Sequence, residues 1–145
     1  MNLDFEIIDY ASPLYQEVLN LRNEVLRKPL GLNLFDEDLT EDRDQYIVIA
    51  KIEAQVVACV MLKILDKDTI KIRQMAVTDY MQSKRIGSLL FHYAENFCAL
   101  NEYYHIELNA RQTAIEFYLK QGYELVGEEF IEVGIPHYKM YKHLE

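Results

Sequence analysis

Apolar residues change their spacing several times along the chain, and each change marks an element. Residues 69–77, TIKIRQMAV, are short and rich in β-branched and long apolar side chains, the composition of a strand. Beyond them Ile86, Leu89, Leu90, Tyr93, Ala94, Phe97 and Cys98 recur at a helical period, so the strand feeds an amphipathic helix. Upstream, residues 4–10 form a short candidate strand. A helix is predicted from Ser12-Pro13, where proline is tolerated in the first turn, to about residue 28. Leu14, Val18, Leu21 and Val25 make its apolar stripe, Arg22, Asn23, Glu24 and Arg27 take other faces, and Pro29 stops it. Residues 31–44 are acidic and irregular, readable as a solvated loop or as a mobile segment over a site.

QYIVIAKI and VVACVMLKIL are two strand-like runs separated by Glu53-Ala54-Gln55, a length suited to a hairpin. Their apolar content predicts central strands covered on both faces. Asp66-Lys67-Asp68 then turns the chain into the strand at 69–77. After the long helix, residues 104–109 read as a strand, 111–120 as a short helix capped by Gly122, and 123–133 and 138–143 as closing strands. The result is one α+β domain over residues 1–145, a mixed, mostly antiparallel sheet flanked by helices, with a βαβ unit at its centre. The strands ending at Val77 and Asn109 are then parallel neighbours joined by a crossover helix. Ligands bind at the carboxyl ends where such strands part.

A length of 145 residues, half of them hydrophobic, suits a single sizeable core. The formal net charge of −9 opposes a nucleic acid or an anionic membrane as main partner, and accommodates a cationic one such as an amine more easily. Two cysteines, Cys59 and Cys98, lie in apolar runs and suggest neither a disulfide framework nor a metal site. No basic segment leads into a long apolar run at the N-terminus and no stretch is apolar over a membrane's width, which points to the cytoplasm.

Between strand and helix lies Gln82-Ser83-Lys84-Arg85-Ile86-Gly87-Ser88. The first amides of a helix lack intrahelical partners and carry the positive end of its dipole, so a phosphate or pyrophosphate could satisfy them. Gly87 would let a ligand approach the backbone, while Lys84 and Arg85 add positive charge. A capped amphipathic helix with a glycine in its first turn is the alternative. Neither GxxxxGK[ST] nor GxGxxG is present.

RQMAV followed by QxxRIGSxL and, about twenty residues later, LNARxxAxxFYxxxGY resemble the GNAT superfamily of N-acetyltransferases, which move acetyl from acetyl-CoA to an amine. LRNEVLRKPLGL and EEFIEVGIPHYKM are similar to the ElaA/YjcF-like group within it. The resemblance implies acetyl-CoA as cofactor and a small amine or exposed lysine as acceptor. It also implies that Met75, Ala76 and Val77 present backbone groups to the pantetheine arm, with Met75 and Val77 also flanking the acetyl carbonyl. Gln82, Ser83, Lys84, Arg85, Ile86, Gly87 and Ser88 would form the pyrophosphate loop. The usual pattern there is Q/R-x-x-G-x-G/A, and Arg85 replaces its first glycine; right-handed helical dihedrals at Arg85 would accommodate the side chain. Asn109 and Tyr118 match positions that contact the arm and thiol. A homodimer through the last strands is compatible with the pattern.

The chemistry asks for a group to stabilise charge on the carbonyl oxygen, a donor for the departing thiolate and an acceptor for the amine proton. A backbone N–H near residues 75–77 could serve the first. Tyr118 could serve the second, or be a core tyrosine. Glu24, His137 and Glu132 are candidates for the third, each also readable as a structural hydrogen bond or solvated charge. A tight turn at Gly134-Ile135-Pro136 would fix His137, whose imidazole titrates near neutrality. His92, His105 and His143 read as structural. Besides direct transfer in a ternary complex, two other readings are a CoA-binding regulatory module without turnover and a phosphate-binding scaffold unrelated to CoA.

Overall fold

Alternation along the strands builds one mixed sheet in the order β1-β2-β3-β4-β5-β7-β6. The strands are β1 (Leu3–Ile8), β2 (Tyr46–Ile52), β3 (Gln55–Asp66), β4 (Thr69–Val77), β5 (His105–Arg111), β6 (Glu124–Glu132) and β7 (Ile135–His143). This computed structural model describes residues 2–82 and 85–145. Every neighbouring pair is antiparallel except β4 and β5, which run parallel because α2 (Ile86–Leu100) carries the chain across between them. The α+β reading holds.

The apolar run of β2 is covered on both faces. Val48 and Ala50 pack in one cluster with Ile86, Leu90, Phe91 and Ala94 of α2, whereas Ile47 and Ile49 pack in another with Val18 and Leu21 of α1 (Tyr15–Arg22). Period-two alternation sends neighbours to opposite faces, so each face receives its own layer of side chains. Burying Leu90 or Phe91 contributes roughly 1.5–3 kcal/mol each. The hairpin between β2 and β3 is tighter than three residues. Ile52 pairs with Gln55, leaving Glu53 and Ala54 as a two-residue turn with φ of 50° and 69°.

The first helix differs from its predicted form. After Arg22 it widens into a π turn over Asn23–Arg27 and ends in a 3₁₀ turn, Lys28–Leu30. Arg22 and Arg27, expected off the apolar stripe, are buried. Their partners are acids of residues 31–44. Arg22 Nη1 lies 2.7 Å from Asp42 Oδ2, and Arg27 Nε lies 2.6 Å from Glu37 Oε2. Tyr15 donates its hydroxyl to the same Asp42 oxygen at 2.6 Å, and Asn23 Oδ1 accepts from the Leu34 amide at 2.8 Å. With Leu34 fully buried as well, the solvated-loop reading of this segment is corrected: two 3₁₀ turns, Leu34–Asp36 and Thr40–Asp44, are bound against α1.

α3 (Ile115–Lys120) ends in the expected glycine cap. Gly122, at φ +93°, donates to Leu119 O and Tyr123 to Tyr118 O, both at 3.0 Å, the paired bonds of a left-handed C-terminal stop.

Candidate active site

β4 and β5 pair only from Thr69–His105 to Ile72–Leu108, and then part. β4 stays with β3 while β5 stays with β7, so a wedge opens at their carboxyl ends. A bulge widens it. Met61 pairs with Arg73 and Cys59 with Ala76, so one β3 residue, Val60, faces two on β4, Gln74 and Met75. Gln74 takes φ +54°, a conformation that costs a side-chain-bearing residue energy and re-aims the groups beside it. No glycine marks the place in the sequence.

A cavity of about 540 Å³ fills the wedge. Met75, Ala76 and Val77 form one wall, with Gln82, Arg85, Gly87 and Ser88 at its α2 end and Asn109, Tyr118 and His137 opposite. Four other expected residues fall elsewhere or beyond description. Ile86 is fully buried in the core, so only its backbone remains for a ligand. Ser83 and Lys84 lie outside the described residues. Glu24 is not brought to the cavity: its side chain is 62% exposed and bonded to Lys28 one helical turn away, at 2.7 Å.

The start of α2 is a cradle of close contacts. A Cβ added at Gly87 would come within 2.7 Å of Met75 Cε, so glycine lets the helix approach β4. Gln121 donates to Ser88 Oγ at 2.9 Å, tying the first turn to the end of α3, and Gln82 Nε2 donates to Val77 O at 3.0 Å. Arg85 corrects an expectation. Its φ and ψ are 63° and 15°, left-handed rather than right-handed helical, which is where glycine is favoured and where the family pattern has one. The amides that follow have no intrahelical partners and suit a pyrophosphate, so the cradle and wedge fit acetyl-CoA.

Tyr118 is held by its ring. Phe91, Phe117 and Tyr123 surround it with centroid distances of 5.5, 5.2 and 6.2 Å. Its hydroxyl has one partner among the described residues, the weak acceptor Met75 Sδ at 3.9 Å. Burial pushes the phenol up to about 12, against the lowering effect of Arg111, so it keeps its proton at physiological pH. Cys59 and Cys98 are also pushed up to about 12 by burial, and neither is a thiolate nucleophile.

His137 follows a turn that lies earlier than expected. The turn before it is Val133-Gly134, both left-handed, rather than Gly134-Ile135-Pro136, and His137 sits within β7 opposite Arg111 of β5 and Phe130 of β6, 3% exposed. Its Nδ1 is 2.9 Å from Ile135 O, which can only accept, so Nδ1 carries a hydrogen and in the neutral ring Nε2 is the nitrogen with the lone pair. Glu132 Oε2 stands 3.7 Å from Nε2, and its other oxygen accepts from Asn109 Nδ2 at 3.2 Å. His105 and His143 contact one another away from the cavity, Nδ1 to Nδ1 at 3.2 Å.

Several lining residues escaped the sequence reading. Val25, Leu26 and Arg27 arrive through the π turn, whose extra residue no periodicity announces. Arg111 was visible within LNAR but carried no assigned role; its Nη2 donates to Leu26 O at 2.8 Å, fixing the guanidinium at the cavity wall.

Comparison with known proteins agrees with this architecture. The chain matches the acetyltransferase (GNAT) domain family over residues 11–144. It is 33% identical over 73 residues to the uncharacterized N-acetyltransferase YjcF of Bacillus subtilis (strain 168), covering 50% of this chain and 52% of that protein; the chain thus spans about half the length of the curated relative it matches. Escherichia coli ElaA has the same fold, with a TM-score of 0.85 at 20% identity over 98% of this chain and all of that one. So does a GNAT family acetyltransferase from Elizabethkingia anophelis with acetyl-CoA bound, with a TM-score of 0.73 at 19% identity over 99% of each chain. No helix among the described residues is long and apolar enough to cross a membrane. With its family match spanning nearly every element of the sheet, the chain belongs to the GNAT family of acyl-CoA-dependent acetyltransferases.

Proposed function

We propose that the protein transfers acetyl from acetyl-CoA to a primary amine by direct attack in a ternary complex within the β4–β5 wedge, in the cytoplasm and as one domain. The observation that carries this reading is the Tyr118 hydroxyl, protonated and facing the cavity with only a thioether to bond among the described residues. Such a donor is available to a sulfur on which negative charge develops.

Gly87, Ser88 and Arg85 hold the pyrophosphate, and Met75 to Val77 line the pantetheine arm, with Asn109 across the wedge. Acetyl-CoA supplies an activated acyl carbon. A backbone N–H at the β4 bulge stabilises charge on the carbonyl oxygen, and Tyr118 hydrogen-bonds the leaving sulfur. His137 Nε2 takes the amine proton as the C–N bond forms and the C–S bond breaks. Glu132 is placed to pair with the imidazolium, and the proton leaves through it or solvent. The two buried thiols support direct transfer over an acyl-cysteine route.

CoA at about 100 times its dissociation constant should stabilise the fold by roughly 2.7 kcal/mol, read as a rise in melting temperature. Gly87→Val, whose side chain would displace Met75, should keep the fold and lose the rise. A rise equal to wild type would place the phosphates elsewhere. His137→Ala should lower turnover by roughly 10²-fold, the lower end of general-base effects, and spare CoA affinity. Equal loss of both, or of neither, contradicts its assignment. A CoA-dependent rise without acetylation of any amine would favour a regulatory module.

A further inference from the structure

We infer that the acceptor amine carries an anionic group, a carboxylate or phosphate, received by Lys71 and Arg73 in a second cavity; the inference rests on the transferase reading above. This cavity, about 320 Å³, shares Arg27, Ile72, Arg73, Gln74, Asn109 and Glu132 with the first, so the two meet through the gap between β4 and β5. None of Gln82, Arg85, Gly87 or Ser88 lines it, and its charge is therefore free of the pyrophosphate end.

In a chain of net charge −9, the second cavity reverses the sign. Arg27, Lys63, Lys71 and Arg73 line it against two carboxylates, Glu41 and Glu132. Two of the four cations are already paired, Lys63 with Glu41 at 3.1 Å and Arg27 with Glu37. Lys71 and Arg73 have no carboxylate within 4.0 Å among the described residues. Alternation along β4 explains their placement, since Ile70 and Ile72 enter the core and leave Lys71 and Arg73 on the other face. Arg73 is steadied by Gln45 Oε1, 3.1 Å from its Nη1.

A second observation points the same way. Lys71 stands directly across from Lys63 on β3, an arrangement that like charges disfavour. Its parallel neighbour on β5, Glu107, is taken by Lys139 at 3.5 Å. An anion between Lys71 and Arg73 would relieve this repulsion, and a guanidinium beside an ammonium suits carboxylate or phosphate oxygens. At the junction of the cavities, Gln74 Oε1 is buried without a hydrogen-bond partner among the described residues and can accept an N–H from the amine. One ligand with an amine at one end and an anion at the other would satisfy both.

The test uses saturating acetyl-CoA and five amines: 4-aminobutyrate, phosphoethanolamine, their counterparts without the anionic group, butylamine and ethanolamine, and putrescine. The anionic members should be used with kcat/KM at least about tenfold above their counterparts, roughly 1.4 kcal/mol, and the better anion identifies the headgroup. Lys71→Gln or Arg73→Gln should shrink that ratio toward one. Equal use of all five, or preference for putrescine, overturns the inference while leaving the transferase reading intact. If no amine is acetylated, melting curves decide separately: a rise with 4-aminobutyrate or phosphoethanolamine that the two variants lose upholds the anion site, and no rise overturns it.

Discussion

Tyr118→Phe should lower turnover by ~10²–10⁴-fold while leaving the fold and CoA binding in place. The substitution removes one oxygen from a ring held by Phe91, Phe117 and Tyr123, so packing survives. The lost hydrogen bond is to a thioether at 3.9 Å, and a purely structural hydroxyl there would be worth about 1 kcal/mol or less. Rate and stability therefore separate. A fall of two to four decades is roughly 3–5 kcal/mol of transition-state stabilisation, larger than that hydroxyl contributes to folding. Single-turnover rates at saturating acetyl-CoA, with melting curves on the same samples, check both. A rate within about threefold of wild type would remove Tyr118 from the mechanism.

Asp42→Ala should destabilise the protein by roughly 3–5 kcal/mol, a large share of the ~5–15 kcal/mol typical of a domain. Arg22 is 2% exposed and its Nε already lacks a partner among the described residues, so removing Asp42 leaves a buried guanidinium without its counter-charge. Tyr15 loses its acceptor as well. Replacing the pair together, as Arg22→Met with Asp42→Leu, should cost clearly less than Asp42→Ala alone, because no lone charge remains in the core. Urea unfolding of the three proteins measures the difference. A loss below about 1 kcal/mol for Asp42→Ala would mean that the segment 31–44 is not anchored through this pair.

The order of strands and helices was legible because each has its own period, and the wedge followed from one rule about parallel strands. Eleven of the expected site residues line the cavity for that reason. What escaped reading depends on backbone geometry that side-chain type does not encode. Gln74 and Arg85 adopt left-handed conformations without being glycine, so neither the bulge nor the true conformation before α2 left a sign in the sequence. The burial of Arg22 and Arg27 could not be read because it depends on a partner that lies 20 and 10 residues away, respectively. Glu24 was a plausible base by chemistry alone, but the turn of the helix that exposes it is set by the same π turn that brings Leu26 and Arg27 inward. The position of His137 was missed by a shift of the hairpin: Val133, a β-branched residue that disfavours positive φ, occupies the turn, and Pro136 lies in the strand.

Direct transfer inside the wedge is tested most plainly by a single turnover with isotopically labelled acetyl-CoA, protein in excess, quenched at intervals after a primary amine is added. Free CoA thiol and labelled amide should appear with one rate constant, with no label on the protein at any time. Label on the protein before amide forms, or thiol released without amide, would contradict the account.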